Sequence, residues 1–244
     1  MFRKLLKPFA RFFEFHARTH YRTERHSMAL TTGIILAAGV GGFIEIAPLF
    51  TIEPVEWRAP LPGDFDGLLV GSANVFRHGG PQLKKFDKLP VHVVGEATAA
   101  AARSAGFLIG RTGRGGLQSL VDQLGTRTLH LLRLAGEDRV TLRLPDTLSV
   151  DTTVLYRAVP QGLSDAAVAN LQDGGVVALH SGSAAQRFKA ECDTHDLDRA
   201  KIDLVVIGPR VAEMVGAGWR SIHIAEAPGD TELLALARSL CQTS

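Results

Sequence analysis

Cysteine is scarce. The two residues in 244, Cys192 and Cys241, make neither a metal-binding spacing nor a disulfide framework, which fits a reducing, cytoplasmic setting. Charge of one sign is also lacking. Lys and Arg number 27 against 25 Asp and Glu, a net +2, too small an excess to imply a nucleic-acid partner. No apolar run suffices for a membrane span, which takes about 20 residues. The nearest, Met28 to Ile44, is uncharged but shorter, interrupted by Gly33, Gly39, Gly41 and Gly42, and followed by Glu45. It reads as a buried helix, a Gly turn, and then a strand from Phe43 to Phe50. Cofactor and nucleophile motifs are missing too. Gly39-Val40-Gly41-Gly42 has no strand before it and no Lys-Ser/Thr after it, and Gly113-Arg114-Gly115-Gly116 reads as a turn. Ser181-Gly182-Ser183 lacks the Gly-x-Ser-x-Gly elbow, so Ser181 with His180 and Asp193 is no hydrolase arrangement. The 9 histidines do not pair at metal spacing. The Glu137-Asp138 pair follows a strand end and reads as solvated. The expectation is a site with no metal and no cofactor.

What is present is an ordinary globular composition, 45% apolar and 21% charged. The length allows one large domain or two of about 100–120 residues. Residues 1–26 stand apart as a basic, Phe-rich extension. Phe2, Leu5, Leu6, Phe9, Phe12 and Phe13 fall at helical spacing, opposite Arg3, Lys4, Lys7 and Arg11. Such a stripe suits an anionic membrane surface or a targeting peptide. Pro8 would kink it and it is short, so a loosely ordered extension is preferred, with membrane contact through residues 1–13 the lesser reading. It has no cleavable apolar core, which argues against a periplasmic-type binding protein.

From residue 64 onward, short apolar runs alternate with helical segments. Strands are expected at Gly67–Gly71, Val91–Val94, Phe107–Ile109, Thr128–Leu134, Leu148–Tyr156, Val176–His180, Leu204–Ile207 and Ser221–Ile224. Helices fall between them, at Glu96–Ser104, Gly116–Leu124, Ser164–Leu171, Ser183–Asp193 and Pro209–Gly216, and Thr231–Cys241 closes the chain. This alternation means βαβ units on parallel sheets flanked by helices. A weak repeat divides them. Leu68-Leu69-Val70-Gly71-Ser72, then Val93-Val94-Gly95, then Ala105-Gly106-Phe107 is echoed by Val177-Ala178-Leu179-His180-Ser181, then Val206-Ile207-Gly208, then Ala217-Gly218-Trp219. Two similar α/β lobes are expected, with 51–57 and 150–160 crossing between them.

In open α/β sheets, ligands bind beyond the carboxyl ends of strands. Ser72, Gly95, Ser181 and Gly208 fall at such ends, each opening a helix whose free N–H groups and positive dipole end favour an anion. Four such junctions suit a polyanionic ligand. The plainer reading makes the serines ordinary helix caps and the glycines ordinary turns.

Several stretches resemble the uroporphyrinogen-III synthase family: Ala47-Pro48-Leu49-Phe50-Thr51-Ile52-Glu53-Pro54, Ser72-Ala73-Asn74-Val75, Val94-Gly95-Glu96-Ala97-Thr98-Ala99, Leu134-Ala135-Gly136-Glu137, Val154-Leu155-Tyr156-Arg157-Ala158, Ser181-Gly182-Ser183-Ala184 and Ile207-Gly208-Pro209. Each is weak alone; their order and spacing carry the likeness. The resemblance implies one lobe from 27–50 and 161–244, a second from 58–149 inserted in the middle, and antiparallel connecting strands at 51–57 and 150–160. It implies cyclisation of hydroxymethylbilane, a small molecule with eight carboxylates, by a cofactor-free and monomeric enzyme. Tyr156 matches the family tyrosine suggested to assist departure of the substrate hydroxyl. Ser72, Asn74, Gly95, Thr98, Ser181, Ser183 and Gly208 are carried over as substrate-binding positions, with Arg133 and Arg157 as candidate carboxylate partners. The sequence also departs from the family. The expected apolar opening strand is not recognisable in the polar stretch His16 to His26, Arg210-Val211 follows the Gly-Pro pair where Thr is usual, and Gly182 replaces a proline. A rival reading is therefore a non-catalytic tetrapyrrole-binding or regulatory module on the same fold.

Overall fold

A computed structural model of the protein describes residues 34–38, 44–227 and 229–243. The basic extension, with its membrane-surface reading, lies outside them. The chain forms two units. One comprises the described residues up to Thr51 together with those from Pro160; the other is Ile52–Val159.

The unit that holds both ends of the chain carries strands β1 (Ile34–Ala38) and β2 (Ile44–Pro48). After the middle unit it adds α4 (Asp165–Leu171), β9 (Gly175–Leu179), α5 (Gly182–Thr194), β10 (Ile202–Val206), α6 (Pro209–Val215), β11 (Ser221–Ile224) and α7 (Asp230–Thr243). Its sheet runs β11-β10-β9-β1-β2. β9, β10 and β11 are parallel, and β1 is antiparallel to both β9 and β2. Val176, Ala178 and Val205 pack against Leu233 and Ala237 of α7. Val177, Leu179, Leu204 and Val206, which alternate with them, are buried as well. Strands buried on both faces lose the apolar–polar alternation, hence their continuous apolar runs.

The middle unit contains β4 (Gly67–Val70), α1 (Asn74–His78), β5 (Val91–Val94), α2 (Glu96–Ser104), β6 (Ile109–Gly113), α3 (Leu117–Leu124) and β7 (Leu129–Gly136). Two strands that begin or end at its borders, β3 (Phe50–Pro54) and β8 (Leu148–Pro160), complete a sheet ordered β3-β8-β7-β4-β5-β6. From β8 to β6 every pair is parallel. β3 and β8 run antiparallel: Val55 N–H donates to the Leu155 carbonyl (2.8 Å) and Gln161 N–H to that of Leu49 (2.7 Å), so one index falls as the other rises. Side-chain alternation assigns the two faces. Leu68, Val70, Leu132 and Leu134 pack with Val75 of α1 and Ala99 and Ala102 of α2. Leu69 and Leu131 pack with Leu120, Val121 and Leu124 of α3. The result is a mixed α/β fold with parallel sheets flanked by helices. Among the described residues no helix is long and apolar enough to cross a membrane.

Two sequence expectations are corrected. The helix expected within Met28–Ile44 is instead β1, hydrogen-bonded on both edges, followed by β2 from Ile44. A short, wholly apolar run has no period to separate a buried strand from a buried helix. The stretch His16–His26, against which the family's opening strand was compared, lies outside the described residues. The strand expected at Phe107–Ile109 begins only at Ile109 and runs to Gly113. It is an outer strand of its sheet, and its Gly110-Arg111-Thr112 core is polar, as edge strands often are. Phe107 enters the core just before it.

Candidate active site

Parallel pairing brings the carboxyl ends of β4, β5, β7 and β8 to one edge of the middle sheet, and those of β9, β10 and β11 to one edge of the other. After β4, the Ser72 Oγ accepts a hydrogen bond from the Asn74 N–H at 3.2 Å. Asn74, 4% exposed, opens α1, and its Oδ1 accepts from Arg77 Nη1 at 3.4 Å. After β5, Gly95 is the N-cap of α2 with φ 79° and ψ 152°, a left-handed conformation open mainly to glycine. Thr98 turns into the packed face of α2 and is buried. In the other unit, Ser181 is the N-cap of α5, its Oγ accepting from the Ala184 N–H at 3.2 Å. Ser183 is exposed on the first turn of that helix. Gly208 is the N-cap of α6, at φ −177°, an extended conformation.

Tyr156 sits where β7 and β8 slip out of step. Their register runs from Leu129 opposite Leu148 to Ala135 opposite Val154, then shifts so that Gly136 faces Tyr156. Such a bulge re-aims the side chain it carries. The Glu137 N–H donates to the Tyr156 carbonyl at 2.9 Å, fixing the slipped register. The phenol lies directly across Gly136. A Cβ there would stand 2.6 Å from Cε2, 2.8 Å from Cζ and 3.1 Å from the hydroxyl. The ring also packs against the core shared with α1 and α2, and the His78 ring lies 6.3 Å away, centroid to centroid. Burial first, and the neighbouring Arg77 charge second, hold the His78 imidazole below its ordinary pKa, so it is neutral at neutral pH. Among the described residues no group of three or more His, Cys, Asp or Glu could hold a metal ion.

A family model described as "Uroporphyrinogen-III synthase HemD" matches residues 37–235. The chain belongs to the uroporphyrinogen-III synthase family. A uroporphyrinogen-III synthetase of Helicobacter pylori 26695 is similar in structure, with 17% identity, TM-score 0.59, and 79% of this chain and 91% of that one covered. A mutant uroporphyrinogen III synthase of the extremely thermophilic bacterium Thermus thermophilus matches at 16% identity and TM-score 0.47, over 81% of this chain and 88% of that one. The likeness to the Helicobacter pylori protein, at such identity, is a likeness of fold. No curated protein matches the chain. Membership in the uroporphyrinogen-III synthase family supports a role in porphyrin biosynthesis.

The two arginines singled out in the sequence have different surroundings. Arg157 is exposed, and its Nε and Nη2 both donate to one Glu53 oxygen, at 3.2 and 2.9 Å. Arg133 is 7% exposed and donates from Nη1 to the Val140 carbonyl at 2.9 Å. Burial, then the Arg139 charge, lowers its pKa, and Tyr156 opposes them. Sequence reasoning missed His78 and the seat at Gly136. Nothing local to His78 marks it, because the fold alone brings α1 beside β8. Gly136 stood in one of the quoted motifs, and a glycine closing an apolar strand was the available signal.

Proposed function

We propose that this protein is a uroporphyrinogen-III synthase, a carbon–oxygen lyase that cyclises hydroxymethylbilane with loss of water and inversion of ring D. The family match over residues 37–235 carries this reading. Tyr156, seated over Gly136 at the strand-end edge of its sheet, supports it. The terminal hydroxyl of the bilane leaves as water, assisted by a hydrogen bond from the Tyr156 phenol, and an electrophilic azafulvene remains. The substituted carbon of ring D attacks it to give a spiro intermediate, which fragments and recloses with ring D inverted. The sequence of steps is an elimination and a carbon–carbon rearrangement, without net redox change, so it calls for no electron carrier. The junctions at Ser72, Asn74, Gly95 and Thr98 in one unit, and at Ser181, Ser183 and Gly208 in the other, offer backbone N–H groups to the substrate carboxylates. Positioning is the larger part of the catalysis: the enzyme holds the reacting ends for spiro closure against direct closure.

The test is isomer analysis. Freshly generated hydroxymethylbilane is incubated with the purified protein, and the product is oxidised and separated by chromatography. The type III isomer dominates if the proposal holds. A type I product formed at the spontaneous rate, with folded protein present, refutes it and leaves the non-catalytic module.

A further inference from the structure

The stretch 137–147 passes from β7 to β8 without regular secondary structure and leaves a cavity of about 510 Å³ against the sheet. Arg133 of β7, Arg139 and Thr141 of the crossing stretch, and Val150 and Thr152 of β8 line it, with Leu142 among its apolar walls. Arg133 is buried, yet among the described residues its Nε has no hydrogen-bond partner and its Nη1 meets only a carbonyl oxygen. Arg139 likewise donates to a carbonyl, that of Glu137, at 2.8 Å. Glu137 also borders the cavity, but among the described residues neither guanidinium makes an ion pair with it or with any other carboxylate.

An arginine keeps its proton inside proteins, so Arg133 buries a full positive charge, and a buried charge calls for a counter-charge. The protein supplies a carbonyl dipole and then adds a second guanidinium to the same cavity. Two forked cations match the planar geometry of carboxylates. The volume falls within the usual range for small-molecule sites, about 300–1,000 Å³, and the open, mostly polar lining sets Thr141 and Thr152 beside the apolar Val150 and Leu142.

We propose that this cavity is a binding site for a small organic carboxylate, held by Arg133 and Arg139. With a tetrapyrrole arm as its ligand the site rests on the proposed function; with a free organic acid it does not. Its carboxylate belongs either to an arm of a tetrapyrrole or to a free organic acid.

The test uses the full-length protein, glutarate and uroporphyrin III in calorimetric titration. Saturable glutarate binding is expected, weakened about tenfold or more in Arg139→Gln, the loss of one charge-assisted contact, and abolished in Arg133→Met. Arg139 is exposed, so the first variant remains informative if the second does not fold. Displacement of glutarate by uroporphyrin III identifies a tetrapyrrole arm, and glutarate binding indifferent to the porphyrin identifies a free acid. Absence of saturable binding of either probe to the wild type overturns the proposal, as does wild-type affinity in Arg139→Gln. The isomer assay is read separately, so failure of the cavity leaves the cyclisation untouched, and the reverse.

Discussion

Gly136 sets the terms for Tyr156, since the phenol occupies the space that any β-carbon would need. Overpacking a filled site costs about 1–3 kcal/mol. Gly136→Ala is therefore expected to displace the ring and lower kcat about tenfold or more with little change in KM. In a Tyr156→Phe background the same substitution should lower kcat far less, because the hydroxyl it misplaces is already gone. Equal losses in both backgrounds, from steady-state kinetics, would show that Gly136 acts apart from the phenol. Gly95 is constrained by backbone rather than by space. Among the described residues nothing lies within 4 Å of a β-carbon there, but φ is +79°. Gly95→Ala should cost about 1–2 kcal/mol of stability, read from the shift of the urea midpoint. The rest of the site at this scale was partly legible. The cap at Ser181 follows from a small hydroxyl residue ahead of a helix. The burial of Asn74 and Thr98 does not follow from sequence, because a polar residue in a first turn gives no sign of which way the helix packs.

Among the elements, α5 depends on its cap. Loss of the Ser181 Oγ bond in Ser181→Ala should cost about 0.5–2 kcal/mol, with the helical signal preserved at room temperature in circular dichroism. Strand β10 carries a buried carboxylate, Asp203, opposite Ser221 of β11. Arg220 Nε and Ser221 Oγ donate to its Oδ1 at 2.8 and 2.6 Å, and the Arg220 Nη2 donates to Oδ2. The Arg220 bond first, with Ser221 adding to it, holds the Asp203 carboxyl below its usual range against the opposing effect of burial. A lowered carboxyl pKa stabilises the fold above the ordinary carboxylate range, and that stability is lost as pH falls through the folded-state value. Asp203→Asn should thus cost about 1–2 kcal/mol at neutral pH, a charged hydrogen bond discounted for the exposure of Arg220. The cost should shrink on acidification, which denaturant midpoints from about pH 7 down to pH 2 would reveal. A cost constant across that range would contradict the assignment. Most elements were readable because strands buried on both faces give apolar runs and helices begin at recognisable caps. The errors fell where that signal is weakest, at β1, an apolar run without a period, and at β6, an edge strand with a polar core.

For the whole molecule, the middle unit is one continuous piece of chain with its own packed faces, one built with α1 and α2 and one with α3. A protein of residues 50–160 alone is expected to unfold cooperatively in urea, and a broad, non-cooperative transition would show that its core needs the rest of the chain. The other unit is discontinuous, so no single excised segment should reproduce it. The sequence by itself determined the α/β class, the strand-end junctions and the family resemblance, since each is a matter of local period, cap chemistry and order along the chain. Only the tertiary structure decided the seat of Tyr156 and the surroundings of Arg133. Both arise where distant segments meet: a one-residue slip between β7 and β8 lays a phenol across a glycine, and an irregular crossing covers a buried guanidinium that has no counter-ion among the described residues. Pairing register and long-range burial leave no mark in a local pattern, because they depend on which strands the folded chain sets side by side.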